Sequence, residues 1–439
     1  MSVIDGIVSE PRPAVHFGVG AIDHLPGVVR ATGAGQVVVV TDDALASTSV
    51  IATVRAVLAD AGIPACLFAG VHAIPTTDDV AAGAAAVTAT AADAAAFASA
   101  AAVTAAVTAT LKASGPATPA ASHARSAPPA SRIALVAVGG GSAIDAAKGI
   151  AIAAVNPQRG RHLDLRGALA VPALPIVAVP TTAGAGAEAN AFGVVTDPAT
   201  HRQFYLGHVS SMPAAAILDP ALTVGMPPAV TAATGLDALT RALDSYLSPR
   251  ANPWSDGIAL QAIRMIAASL PLACADGTDL AARSQMLLAA HMAGVAVANT
   301  GLGLCHVIAQ SLGGRWDIAP GVALTMLLPD VLRFDLPVRT GRLADVAFAL
   351  GVGDTRADAG RNAAAAIDAV AALREQVGLT GLAGGLGITE ADFAQIAADA
   401  LDNEALASAP RQPTGDDIGE ILLEAFSARD VSGRRRGAF

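Results

Sequence analysis

Ile133-Ala-Leu-Val-Ala-Val138-Gly139-Gly140-Gly141-Ser142-Ala-Ile-Asp145-Ala-Ala-Lys148 is the stretch on which the reading of the fold turns. Six apolar residues in a row, without polar alternation, predict a strand buried on both faces. The glycines end it, and the spacing from Ile144 to Val155 predicts a helix. A strand that runs through glycines into a helix leaves backbone N–H groups free at the positive end of the helix dipole, an arrangement that suits a pyrophosphate. Gly139, Gly140, Gly141 and Ser142 are therefore candidate dinucleotide contacts. Asp145, in the first turn of the helix, is a further candidate and also compensates the dipole.

Similar strands flank this unit. Gln36–Thr41, Pro64–Phe68 and Ile176–Pro180 are short apolar runs, each bounded by turn or helix signals. Their alternation with helical segments predicts a parallel sheet covered by helices. Asp42 follows the first of them. An acidic residue at a strand end can bind the two ribose hydroxyls of NAD and repels the 2′-phosphate of NADP, so NAD is the expected cofactor.

From about residue 219 the pattern changes. Helical periodicity dominates over Val230–Leu247, Asp256–Leu270, Leu280–Ala298, Leu304–Leu312, Thr355–Val377, Glu390–Leu401 and Asp416–Phe426. The chain is expected to divide into an α/β Rossmann-like domain over 1–218 and an all-α domain over 219–439. Residues 81–131 interrupt the first of these. They are rich in Ala, Thr, Ser and Pro, with only Asp93, Lys112 and Arg125 charged. Ala81–Leu111 can form a helix, whereas the prolines and glycine of 113–131 read as a linker. The segment is expected to be a surface insertion.

A net charge of −10 argues against a general nucleic-acid surface. Mean hydropathy is +0.53, raised mainly by Ala. No run of about 20 strongly apolar residues stands out as a bilayer span, and the start of the chain lacks the pattern of an export signal. A cytoplasmic protein with neither membrane nor nucleic-acid partners is expected. Cys66, Cys274 and Cys305 are scattered, which predicts neither a disulfide framework nor a structural zinc site.

Several ordered stretches now carry a resemblance. They are His16-Phe-Gly-Val-Gly20, the GGGSxxDxxK string above, Pro180-Thr181-Thr182-Ala-Gly184-Ala-Gly186-Ala-Glu188, Asp237-Ala-Leu-Thr-Arg241 and Gly301-Leu-Gly-Leu-Cys-His306-Val-Ile-Ala-Gln310. Together they resemble the iron-containing (group III) alcohol dehydrogenases, maleylacetate reductases among them. The resemblance implies a dehydroquinate synthase-like architecture, cofactor contacts at Thr181 and Thr182, and a homodimer. In the family a divalent metal is held by one Asp and three His, the first two spaced Asp-x-x-x-His on one helical face. Asp237 and His306 match the first and third ligands. Arg241 and Pro320 stand at the second and fourth. Gln310 stands where the family has another His near the nicotinamide.

Arg cannot coordinate a metal and Pro has no ligand atom. The sequence therefore predicts no catalytic metal. It predicts NAD-dependent hydride transfer to or from an alcohol or ketone. Arg241 would be electrophile or carboxylate anchor, His306 acid/base, Asp237 the group that orients them and Gln310 a lining residue. Three further readings stand beside this. One is a reductase of maleylacetate type acting on a keto acid. The second is a tailoring dehydrogenase acting on a hydroxy acid or peptide terminus, with oxidative decarboxylation. The third is an inactive NAD-binding regulatory or scaffold subunit.

Overall fold

The computed structural model describes residues 13–92, 133–157, 169–380 and 386–426. Six parallel strands form one sheet in the order β1-β8-β5-β4-β2-β3. They are β1 (Ala14–Phe17), β2 (Gln36–Asp42), β3 (Ala65–Val71), β4 (Ile133–Gly139), β5 (Ile176–Pro180) and β8 (Ala215–Leu218). β4 and β5, at the centre, are buried along their whole length, which is why their sequences are apolar without alternation. Edge strand β1 leaves Val15 and Phe17 exposed. A separate antiparallel hairpin is made of β6 (Phe192–Asp197) and β7 (Arg202–Gly207).

Helices cover both faces of the sheet: α1 (Leu25–Ala31) and α2 (Ser49–Asp60) contribute to one core, and α3 (Gly141–Ala153) to the other. Residues 77–92 are helical, and Val80 and Val87 lie in the core of the α3 face. Gly83 allows this, since a Cβ there would fall within van der Waals overlap of Ile150. The expected surface insertion thus begins later than residue 81. Its remainder, 93–132, lies outside the described residues.

After β8 come α4 (Pro228–Leu247), α5 (Pro253–Ala275), α6 (Leu280–Thr300), α7 (Leu304–Trp316), α8 (Pro320–Ala349), α9 (Ala359–Gln376), α10 (Glu390–Leu401) and α11 (Gly415–Phe426). They enclose the largest apolar core. α5 and α6 are long and apolar enough, by length and composition, to cross a bilayer. Their apolar residues are shared with α4 and α8 in the helical core. α6 also buries Arg283, whose guanidinium donates to Thr231 Oγ1 and to the Gly277 and Met226 carbonyls. A cation satisfied by three protein oxygens is a feature of a packed helical interior.

Candidate active site

The carboxyl ends of β2, β4 and β5 are adjacent, and each ends in a candidate cofactor residue. Asp42 closes β2, where its Oδ1 accepts the Leu45 N–H at 2.8 Å as a helix cap. Its Oδ2 faces Gly139 at the end of β4, 3.5 Å from where a Cβ would stand. Gly139 has φ +151, and its Cβ would sit 2.7 Å from that of Ala143. The chain can make this bend only with glycine. Gly140 then caps α3 without any side-chain bond to the first-turn N–H groups. Those donors point out of the helix end and suit an anion.

Thr182 lies against Gly140, with its side chain 3.2 Å from a Cβ built there. Ala185 lies closer still to Gly141, its Cβ 2.8 Å from one built there. The Thr181 N–H bonds the Gly139 carbonyl at 2.9 Å. Asp42, Gly139, Gly140, Gly141, Thr181 and Thr182 are therefore brought together at the carboxyl edge of the sheet, where open α/β sheets bind ligands. Donors, hydroxyls and a carboxylate are present in the types that a dinucleotide requires.

Two candidates take other partners. Ser142 Oγ donates to the Ala73 carbonyl at 2.5 Å. The Asp145 carboxylate accepts the Val194 N–H at 3.0 Å and Lys148 Nζ at 3.3 Å. Burial raises its pKa against the pull of Lys148. Asp145 thus fastens α3 to the β6–β7 hairpin. Lys148, wholly buried, donates to Asn190 Oδ1 at 2.9 Å and to the Phe192 carbonyl.

The loop after β5 is anchored to the helical core. Gly186 approaches Gly294 of α6 so closely that a Cβ would lie 2.6 Å from its Cα. Beside it, Glu188 and His291 form a buried pair at 3.0 Å.

The second half of the site is built from α4 and α7. Asp237, Arg241 and Asp244 follow one another at i, i+4 and i+7 along one face of α4. Arg241 Nε donates to Asp237 Oδ1 at 2.8 Å. The same oxygen lies 3.3 Å from His306 Nε2, and His306 Nδ1 lies 2.6 Å from Asp244 Oδ2. Asp244 Oδ2 also accepts the Gly303 N–H at 2.8 Å, and Gly303 lacks the Cβ that would strike this carboxylate. Arg241 therefore takes Asp237 and leaves Asp244 to the imidazole.

His306 is bracketed by two carboxylates. Burial and Arg241 oppose its charge, but the bonds to Asp237 and Asp244 prevail and raise its pKa. Burial alone would raise the pKa of Asp237; Arg241 and His306 reverse this and lower it.

This donor set does not fit a divalent metal. Asp237 Oδ1 is shared between a guanidinium and an imidazole, and both His306 nitrogens face carboxylates. Pro320 is the first residue of α8 and offers no ligand atom. Among the described residues, no group of three or more His, Cys, Asp or Glu is arranged to hold a metal ion.

Gln310 lies one turn beyond His306 on α7. Its Nε2 donates to Tyr205 Oη at 2.6 Å, and its Oε1 accepts from Asn403 Nδ2 at 2.7 Å. Sequence reasoning missed Tyr205, Asn403, Lys148 and the Glu188–His291 pair. The contacts between Gln310 and Tyr205 or Asn403 span 105 and 93 positions, beyond the reach of any local pattern. Asp244 was visible as an acidic residue on the helical face of Asp237 and Arg241.

The pattern described as iron-containing alcohol dehydrogenase matches residues 12–96 and 117–220. Its companion, described as Fe-containing alcohol dehydrogenase family, C-terminal, matches 231–426. The chain is 41% identical to a probable alcohol dehydrogenase, EutG, of Escherichia coli K12, over 66% of this chain and 72% of that protein. It is 37% identical to the NAD-dependent methanol dehydrogenase of Bacillus methanolicus, over 67% of this chain and 77% of that one. A crystal structure of 1,3-propanediol oxidoreductase superposes with a TM-score of 0.82 at 33% identity, covering 96% of this chain and all of its own.

Proposed function

This chain belongs to the iron-containing alcohol dehydrogenase family and is an NAD-dependent oxidoreductase of the CH–OH class, and within that class we propose that Arg241 stands in for the family's metal. The observation that carries this reading is the state of the guanidinium. Its Nε is anchored on Asp237, and its terminal nitrogens have no acceptor among the described residues. The side chain remains about one-eighth exposed. It is a fixed, permanently charged donor edge left open beside the site.

Bound NAD supplies the hydride acceptor, and NADH the donor. Asp42 and the Gly139–Gly141 turn would hold the cofactor, and Asp42 would select NAD over NADP. As a carbonyl is reduced, its oxygen gains negative charge. Arg241 meets that charge without reorganising, because Asp237 already fixes its direction. His306, whose pKa the bonds to Asp237 and Asp244 raise against burial and Arg241, is the buried proton source of the cluster. In the oxidation direction the same groups receive the carbinol proton and steady the alkoxide.

The two terminal nitrogens of Arg241 can also divide between the reacting oxygen and one oxygen of an adjacent carboxylate. A hydroxy or keto acid is therefore the preferred substrate class, ahead of an unsubstituted alcohol. A homodimer is the proposed assembly, and exposed Val15 and Phe17 on edge strand β1 are consistent with it.

Arg241→Ala tests the reading. It should lower hydride transfer on the order of 10³-fold while leaving NAD affinity unchanged, since the cofactor loops lie elsewhere. Arg241→Lys should recover little, because a single ammonium reproduces neither the Asp237 contact nor the fork. An Arg241→Ala enzyme with wild-type kcat overturns the proposal.

A further inference from the structure

The hydrogen bonds around Gln310 have a fixed direction. Asn403 caps the short turn Glu404–Ser408, its Oδ1 accepting the Ala405 N–H at 2.9 Å. Its Nδ2 is thereby turned toward Gln310, so Gln310 must present its oxygen to Asn403 and its Nε2 to Tyr205. The Tyr205 oxygen is thus already an acceptor. Its own O–H must point away from Gln310, and among the described residues it meets no acceptor.

Tyr205 is buried, and a buried hydroxyl without an acceptor carries a cost that a ligand can relieve. The ring is held in place on several sides. Phe192 packs edge-on at 5.9 Å, and Val297 and Leu302 complete a small apolar cluster. The hairpin that carries Tyr205 is seated on α7 at Gly314, where a Cβ would stand 2.6 Å from the His201 carbonyl.

Position links Tyr205 to the charged cluster. Gln310 lies four residues after His306, on the same face of α7 and one turn along. His306 contacts Asp237, which holds Arg241. Burial raises the Tyr205 pKa further above neutrality, so the phenol stays protonated at any working pH.

We propose that the Tyr205 hydroxyl is a second hydrogen-bond donor to the reacting oxygen of the substrate, beside Arg241, and that Gln310 is the positioning residue that aims it. The inference rests on the reading of Arg241 as the replacement for the metal. In reduction, hydride bonds to the carbonyl carbon and the C=O π pair moves to oxygen. The phenol O–H binds that oxygen and keeps its own proton, while the proton that completes the alcohol comes from the His306 cluster. The site then has a charged and a neutral donor where a metal ion would have been the single electrophile.

Three variants of the full chain test this, with pyruvate and NADH, and lactate and NAD, as probes. Tyr205→Phe should lower kcat on the order of 10²-fold, with KM and NADH affinity little changed. Gln310→Glu keeps the phenol but places an acceptor against it, which draws the O–H inward, so its kcat should approach that of Tyr205→Phe. Gln310→Leu frees the hydroxyl without capturing it and should fall between these and the wild type. A structural role alone would not order the variants in this way. Should Tyr205→Phe fail to fold, the contrast between Gln310→Glu and Gln310→Leu decides. Wild-type kcat in Tyr205→Phe, or in Gln310→Glu, overturns the inference alone. Absence of turnover of both probes by the wild type overturns the Arg241 reading and this inference with it.

Discussion

The two halves of the site are built from different materials. The cofactor half, at the ends of β2, β4 and β5, relies on backbone: glycines that admit close approach and N–H groups left free at the start of α3. The chemical half, on α4 and α7, relies on side-chain identity at a few positions. A backbone site is lost only when a Cβ or a fold change blocks it. A side-chain site changes chemistry with two or three substitutions. Here the first half retains its glycines, while in the second a guanidinium and a proline occupy ligand positions. The fold survives that change, and under the proposed reading the electrophile is what differs.

The largest effect is expected where the second half is turned back toward the family pattern. The double change Arg241→His, Pro320→His restores the family's ligand types at all four positions. Zinc affinity should rise by orders of magnitude, read by competition with a chromogenic chelator, as His306 and Asp237 exchange charged partners for a metal. No gain would mean that the α4–α7 geometry itself, and not only two side chains, has departed from the family.

A smaller effect is expected in the first half. Asp42→Ala should narrow the preference for NAD over NADP by about 1–3 kcal/mol, read as a ratio of kcat/KM, because a like charge facing the 2′-phosphate is removed. Tighter binding of NADP than NAD by the wild type would refute the role given to Asp42.

The third prediction concerns Asp335 on α8. Burial and the nearby Asp244 raise its pKa to about 8, against opposition from Arg339 and Arg411. Its Oδ1 has no hydrogen-bond partner. The folded-state value lies above the unfolded one of 3.8, so the folded protein holds the extra proton. Stability from this group is fully present below pH about 4 and is lost as pH rises through about 8, by at most about 1.4 kcal/mol per pH unit. Melting temperature between pH 6 and 9 should fall less in Asp335→Asn than in the wild type. Parallel curves would show that Asp335 does not hold its proton.

Much of the sheet was legible because its central strands are continuous apolar runs: β4 and β5 lie where the hydrophobic pattern puts them. β1, β6, β7 and β8 escaped. β1 is an exposed edge strand of four residues, β8 is equally short, and the β6–β7 hairpin lacks a continuous apolar run. α8 escaped because Pro329 and Pro337 lie inside it and the chain is kinked at Arg339. The chain stays helical through Pro329 and breaks at Arg339, two residues after Pro337. In the site, Asp237, Arg241 and His306 could be placed from motif spacing. The partition of Arg241 to Asp237 and of His306 to Asp244 could not, since both carboxylates lie within reach on one helical face. Tyr205 and Asn403 were illegible, because only the packing of the hairpin and the turn after α10 against α7 brings them to Gln310.

Under the proposed function the electrophile belongs to the chain itself. This is tested most directly by elemental analysis of an actively turning-over preparation, with turnover measured before and after exhaustive chelation. Well under one equivalent of iron or zinc per chain and the same kcat after chelation are expected. Stoichiometric metal bound through Asp237 and His306, with activity lost on its removal and regained on its return, would contradict the proposed function.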